Sequence, residues 1–167
     1  MTDPAAPTEP SKVVETGQPV RAVIMEVDHA CLLSPDGAVS CWGNNESGEL
    51  GDGTTIDRDT PTPVSLMAPA AQVSLGTGHT CARLEDGSVW CWGHNFGGPV
   101  GPNGENVQRT PVRVPLPARV VDIATTLLTS CALDESGAIW CWGQNADGEL
   151  GIGENIIESF EPRQVAW

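Results

Sequence analysis

The sequence predicts an all-β fold of the β-propeller type, with three four-stranded blades and a terminal strand that starts a fourth. The first observation behind this prediction is a unit of 50 residues that recurs along the 167-residue chain. The second is that each unit holds short runs of small, β-branched and aromatic residues between glycines, without a sustained helical period. The third is a turn sequence at the same place in every unit, which predicts a hairpin.

Six cysteines mark the repeat, and its period divides the chain into five segments. The first cysteine of each pair recurs every 50 residues, and Trp42, Trp92 and Trp142 directly follow the second one. The segments are a tail at 1–10, full units at 11–60, 61–110 and 111–161, and the start of a fourth unit at 162–167. The tail contains three prolines and no apolar periodicity, so we expect a flexible linker there.

The predicted hairpin is defined most clearly in the first unit. Ser34-Pro35-Asp36-Gly37 has Pro where a type I turn needs φ at about −65° and Gly where the next residue must be left-handed. This pattern is typical of a three-residue hairpin loop with a bulge, and it recurs at Glu85-Asp86-Gly87 and Glu135-Ser136-Gly137. Counting outward from the turn places Cys31 opposite Cys41.

This register predicts three cross-strand disulfides. The cysteines fall at non-hydrogen-bonded pairs, where Cα atoms lie about 4.5 Å apart and a disulfide can close. The predicted bonds are Cys31–Cys41, Cys81–Cys91 and Cys131–Cys141. Zinc is the alternative, but zinc sites usually bring cysteines roughly two to four residues apart in sequence, and nine residues separate each pair here. Because disulfides form in oxidising compartments, we expect an extracellular, periplasmic or cell-surface protein.

Two blocks of sequence carry a resemblance to a known family. His79–Gly93 and Asn145–Gly151 combine a His, a turn glycine, Trp-Gly-x-Asn and Gly-x-Leu-Gly at fixed offsets. On these motifs, residues 11–167 resemble the repeats of the regulator of chromosome condensation family, and the cysteine pairs are similar to those of bacterial exported members. The sequence departs from the pattern at Thr129, where the other units have His, and at Gly98–Gly101, where the Gly-x-Leu-Gly turn changes.

The resemblance implies a ring that this chain alone is too short to close. Members of the family usually close seven blades, whereas three units and a strand would leave unpaired strand edges and bare blade faces. Two arrangements remain open. Either the chain is a piece of a longer propeller, or copies form a homo-oligomer in which the strand at 162–167 completes a blade that begins near Lys12 of a neighbour.

The charge of the chain excludes several classes of partner. The formal net charge is −14, from 22 Asp and Glu against 8 Lys and Arg, so we expect no nucleic-acid partner.

No apolar run approaches the roughly 18 to 20 residues that span a bilayer, so we expect no membrane insertion. The N-terminus also lacks a basic start followed by a hydrophobic stretch, so we expect no secretion signal within this chain.

The sequence predicts no catalytic residues, no metal site and no cofactor. It contains no Ser-His-Asp order, nucleophile elbow or phosphate-binding glycine loop. His29 and His79 recur at the blade spacing, but Thr129 at the third position breaks the symmetry that a shared metal site would need. We therefore expect both histidines to hydrogen-bond backbone groups of the next blade.

The aromatic residues are the main candidates for contacts. Trp42, Trp92 and Trp142 are predicted to pack between blades. The candidate interface with another molecule consists of Trp90, Trp140, Arg163, Val165 and Trp167.

The leading functional hypothesis is a non-enzymatic, extracytoplasmic scaffold that presents blade loops to a protein partner of unknown identity. The alternative is a self-assembling structural repeat whose main partner is another copy of itself. The family that the sequence resembles includes nucleotide-exchange factors for a small GTPase and a secreted inhibitor of β-lactamases. The paired cysteines disfavour the exchange activity, because that activity belongs to intracellular members.

Overall fold

The computed structural model describes residues 19–153 and 156–166. They form twelve strands in three antiparallel four-stranded sheets, in each of which consecutive strands are neighbours. Sheet 1 contains β1 (Ala22–Met25), β2 (His29–Leu33), β3 (Val39–Gly43) and β4 (Arg58–Pro63). Sheet 2 contains β5 (Ala70–Leu75), β6 (His79–Leu84), β7 (Val89–His94) and β8 (Val107–Arg113). Sheet 3 contains β9 (Val120–Thr125), β10 (Thr129–Asp134), β11 (Ile139–Gln144) and β12 (Glu158–Gln164). The all-β prediction of three four-stranded blades is confirmed.

The central hairpin of each sheet has the predicted turn. In sheet 1 the Gly37 N–H donates to the Ser34 carbonyl at 3.0 Å, and the Ser34 N–H donates to the Ala38 carbonyl at 2.9 Å. Gly37 has a φ of 83°, and the matching Gly87 and Gly137 have 82° and 88°. An L side chain is strained at such angles, which explains why glycine occupies this position in all three sheets.

The hairpin register brings the cysteines into the three disulfides that it predicts. Cys31 faces Cys41, Cys81 faces Cys91 and Cys131 faces Cys141. Each bonded pair has a Cα–Cα distance of 4.1 Å, which is the short spacing of a non-hydrogen-bonded pair. Three disulfides indicate an oxidising environment for the folded chain.

Residues 162–164 lie in sheet 3, and the assignment of 162–167 to a fourth sequence unit stays a prediction. Pro162–Gln164 belong to β12, which is the fourth strand of sheet 3 and pairs with β11. The Val165 N–H then donates to the Ile139 carbonyl at 2.9 Å, as Val64 does to Val39 in sheet 1. The similarity between Pro162–Val165 and Pro61–Val64 is therefore a similarity between two outer strands. A repeat period has no intrinsic starting point, so the sequence units are out of phase with the sheets.

The hydrophobic core lies between neighbouring sheets. One cluster joins sheets 1 and 2 around Val39, Leu50 and Trp92, and we call this contact the first joint. A second cluster joins sheets 2 and 3 around Val100 and Trp142, and we call it the second joint. In the part of the chain that the structure describes, no helix is long and apolar enough to cross a membrane.

We predict that replacing Cys81 and Cys91 together by alanine lowers the free energy of unfolding by about 2–3 kcal/mol, because the bond closes a loop of ten residues. Urea denaturation measures the change. The matched control is the Cys131→Ala/Cys141→Ala pair, which closes a loop of the same length and should cost a similar amount. Alkylation of free thiols in the unreduced wild-type chain would contradict the prediction.

Candidate protein-interaction site

The first joint is held by hydrogen bonds that converge on one backbone carbonyl. Glu49 lies in the turn after β3, and its carbonyl accepts the Trp92 indole N–H at 2.8 Å and the Thr80 hydroxyl at 2.9 Å. The Thr80 oxygen lies 3.0 Å from Nε2 of His29. Since the hydroxyl hydrogen is used on the carbonyl, the imidazole must donate from Nε2. Sheet 1 thus supplies an imidazole and a carbonyl, and sheet 2 supplies a hydroxyl and an indole.

The second joint repeats this arrangement with different residues. The Pro99 carbonyl accepts the Trp142 indole N–H at 2.8 Å and the Ser130 hydroxyl at 2.9 Å. Nε2 of His79 lies 2.9 Å from the same hydroxyl oxygen. Pro can replace Glu in this turn because the joint uses only the carbonyl. The change at Gly98–Gly101 that the sequence analysis singled out therefore leaves the joint intact.

The two histidines are buried in their neutral form. Burial lowers the pKa of His29 to about 4 and that of His79 to about 3. In both rings Nδ1 has no hydrogen-bond partner, so a proton added there would be buried and unpaired. The prediction that these histidines bond backbone groups of the next blade is wrong, since their partners are side-chain hydroxyls.

The hydrogen-bonded series of imidazole, hydroxyl and carbonyl is incomplete on the two outer faces of the described sheets. Ala30 occupies in sheet 1 the position of Thr80 and Ser130, so that face presents no hydroxyl. Thr129 occupies in sheet 3 the position of the two histidines, and its hydroxyl donates to the Gln144 carbonyl of its own sheet at 3.0 Å. Within the described residues, no three His, Cys, Asp or Glu side chains are arranged so that they could hold a metal ion.

A groove crosses the end of the molecule where the turn between the first two strands of each sheet lies. Its volume is about 370 Å³, and we call it the turn groove. It is lined by Asp28, Asn44, Glu46, Ser47, Glu49, Thr77, Gly78, His94, Leu127 and Leu128. Three of these residues are carboxylic acids and none is Lys or Arg. Burial raises the pKa of Glu49, whose carboxylate accepts the Ser47 N–H at 2.8 Å.

Exposed apolar side chains accompany the turn groove. Leu127 lines it and is 70% exposed. Val27, at the same turn position in sheet 1, and Phe96, in the loop after β7, are 79% and 69% exposed. Exposed apolar side chains rimmed by polar groups are a feature of surfaces that contact another protein.

None of the four described residues of the predicted interface lines this groove. Trp90 is half-buried and packs against the cluster of the first joint. The indole N–H of Trp140 donates to the Asp134 carboxylate at 2.9 Å. Arg163 is exposed and Val165 is half-buried at the outer strand of sheet 3, while Trp167 lies outside the described residues. Their role in binding another molecule stays a prediction.

The repeat motif decides the family. The sequence profile of the regulator of chromosome condensation (RCC1) repeat matches residues 36–83, 86–133 and 136–167, and a second profile of the same repeat matches 70–98 and 120–149. The chain belongs to the RCC1 repeat family. No curated protein matches it in overall sequence.

Solved structures of RCC1-type and related propellers show the same fold. Human WBSCR16 superposes with a TM-score of 0.80 at 23% identity, over 88% of this chain and 38% of its own. Prp20p from Saccharomyces cerevisiae, studied for its binding to Gsp1p and histones, has a TM-score of 0.77 at 18% identity, over 89% of this chain and 38% of its own. The ectodomain of the Physcomitrella patens receptor kinase CR4 has a TM-score of 0.52 at 22% identity, over 77% of this chain and 31% of its own. The chain thus spans less than two-fifths of each of these proteins.

Two features of the site escape sequence reasoning. The first is the hydroxyl of Thr80 and Ser130. These residues occupy one position of the repeat, at which the first unit has Ala30, and nothing else in the sequence indicates that the hydroxyl joins two sheets. The turn groove has no motif, because Asp28, Glu46 and Leu127 come from separate loops that the sheets bring together.

We predict that acid destabilises the fold through the joint histidines. Their pKa rises to about 6.5 on unfolding, so below pH 6.5 the unfolded chain binds protons that the folded chain does not. Stability should therefore fall as the pH decreases from 6.5, by on the order of 3 kcal/mol per histidine at about pH 4. Urea denaturation at a series of pH values measures this loss.

The control is the His29→Gln/His79→Gln variant, in which the amide can still donate to the hydroxyl. It should be less stable at pH 7 and lose less stability between pH 6.5 and 4. Parallel pH profiles of the variant and the wild type would contradict a role for the histidines.

Proposed function

We propose that this RCC1-repeat chain is a non-enzymatic scaffold that binds a protein partner at the turn groove, outside the cytoplasm. The observation that carries the proposal is the combination of three carboxylic acids in the groove lining with exposed apolar side chains. Leu127 is in the lining, Val27 is next to Asp28 in the chain, and the Phe96 ring lies beside the ring of His94. This combination fits a partner segment that carries Lys or Arg beside apolar side chains.

The electrostatics of the chain support a basic partner. The formal net charge of −14 steers cationic surfaces toward the molecule and repels acidic ones. At the groove, a cationic side chain would meet the exposed Asp28 and Glu46 and the buried Glu49 in the same lining. The apolar side chains nearby would supply buried area that charge alone does not give.

The proposed location outside the cytoplasm follows from the disulfides. All six cysteines are paired in the hairpins, and such bonds persist in secreted, periplasmic or surface proteins. The similarity to the CR4 ectodomain is consistent with this type of fold working outside cells.

Self-assembly is the second candidate function. The observation that favours it is the apolar character of the outer face of sheet 1, where Val20 and Val23 are exposed although the matching residues of sheets 2 and 3 are buried.

We predict that reversing the charge of the groove abolishes capture of a partner. The immobilised chain, exposed to the extracellular fluid of its source, should retain a stoichiometric protein with a basic binding segment. The Asp28→Lys/Glu46→Lys variant should lose that protein, and added salt should weaken its retention, because the attraction depends on exposed charges. Mass spectrometry of the retained material measures both effects.

The matched control is Glu85→Lys/Glu135→Lys, which makes the same charge change in the hairpin turns at the opposite end of the sheets. This control should retain the protein as the wild type does. Equal retention by all three chains, or no stoichiometric protein at all, would contradict the proposal.

A further inference from the structure

The outer face of sheet 1 has the composition of a joint surface. We call it the leading face, and it carries Val20, Val23, Leu32, Ser40 and Trp42. Val23 is 58% exposed, whereas the matching Val73 and Ile123 are 6% and 5% exposed within the joints. Trp42 is only half-buried, whereas Trp92 and Trp142 are fully buried. Sheet 1 therefore displays the same apolar groups that sheets 2 and 3 bury against a preceding sheet.

The outer face of sheet 3 has the complementary shape, and we call it the trailing face. In the first joint a Cβ on Gly48 would lie 2.9 Å from Cα of Arg109, and in the second a Cβ on Gly98 would lie 3.0 Å from Cα of Phe160. A Cβ on the matching Gly148 would meet no described atom within 4 Å. The trailing face thus keeps the space that the next sheet fills in the other two joints.

The polar groups of the two faces are changed in a matched way. A buried imidazole without its hydroxyl, or a hydroxyl without its carbonyl, would cost about 1–3 kcal/mol. Ala30 removes the hydroxyl from the leading face, and Thr129 removes the imidazole from the trailing face. A joint between these two faces would therefore strand neither group, and the Glu149 carbonyl would remain as the acceptor for an indole.

The leading face also lacks a large side chain that the other sheets carry. It has Ser40 where the other sheets have Trp90 and Trp140, and the gap is a groove of about 590 Å³ that Val20, Leu32 and Ser40 line. In sheet 2, Trp90 is half-buried and packs against the cluster of the first joint. The missing Trp therefore leaves room on the leading face for a side chain of the partner surface.

We propose that the leading face of one copy of this chain docks on the trailing face of a second copy. The joint repeats the internal ones, with the Trp42 indole donating to the carbonyl of the partner subunit's Glu149. Two such joints close a head-to-tail pair of six sheets, which is within the range of about four to eight blades in propellers. The inference rests on the second candidate function and is independent of the turn groove.

Sedimentation velocity of the 167-residue chain between low and high micromolar concentrations tests the proposal. The expected species is a closed pair with twice the 17.5 kDa mass of one chain. Trp42→Phe removes the indole donor to the carbonyl of the partner subunit's Glu149 and should weaken pairing at least tenfold. Ile56→Trp, at an exposed loop position away from both faces, is the control.

A mixing experiment tests the head-to-tail direction. Val23→Asp on the leading face and Ala124→Asp on the trailing face should each give a folded monomer, since both positions are exposed in one chain. A mixture of the two variants should form a heterodimer through the one joint in which neither face carries a substitution.

Three results would overturn the proposal. The first is a folded wild-type monomer at every concentration. The same result would be seen if the two faces were covered only by a different protein that carries such repeats. The second is a wild-type pair that neither Val23→Asp nor Ala124→Asp disrupts. The third is a mass that grows beyond the pair with concentration, which would indicate an open chain of copies. None of these results would affect capture by Asp28 and Glu46, so failure here is distinguishable from failure of the groove.

Discussion

The structure depends on one backbone carbonyl at each joint, which accepts two hydrogen bonds from the next sheet. The Glu49 and Pro99 carbonyls each bind an indole N–H and a hydroxyl, and the hydroxyl also accepts the imidazole N–H of the earlier sheet. An unpaired indole N–H at these fully buried positions would cost about 1–3 kcal/mol, so the turn after the third strand must deliver its carbonyl there. The close approach of this turn to the indole explains why residue 51 is glycine, since a Cβ there would lie 2.6 Å from Nε1 of Trp92. The disulfide beneath each Trp ties together the two strands that carry the donors.

The same constraint explains where the family motif lies on the fold. The RCC1 matches at 36–83 and 86–133 each begin in a hairpin turn of one sheet and end in the second strand of the next. Each match therefore contains the carbonyl turn of one sheet together with the hydroxyl strand that binds it. The recurring sequence encodes a joint rather than a sheet, and for this reason the outer faces of the described sheets retain joint residues such as Trp42 and Gly148.

The sequence predicts most of the fold because its local signals agree with its repeat. The hairpin turns, the strand register and the disulfides all follow from Gly37, its copies and the Cys spacing, because each of these features lies within the sequence of a single hairpin. A repeat period does not reveal where a sheet begins, so the position of 162–164 in the fourth strand of sheet 3 is not predictable from it. The partners of His29 and His79 are not predictable from spacing, since the hydroxyls lie one repeat further along the chain and on another sheet. The turn groove depends on how sheets pack side by side, which no single segment encodes.

Hydrogen exchange of the tryptophan indole N–H groups, followed by NMR, tests the central role of the joints most directly. If the carbonyl at each joint holds neighbouring sheets together, the Nε1 protons of Trp92 and Trp142 should exchange only when the whole fold opens. The Nε1 protons of Trp90 and Trp140, which bond Ser88 and Asp134 of their own hairpins at half-buried positions, should exchange far faster. Equally fast exchange of all four protons would contradict the account, because it would mean that the joints open without loss of the sheets.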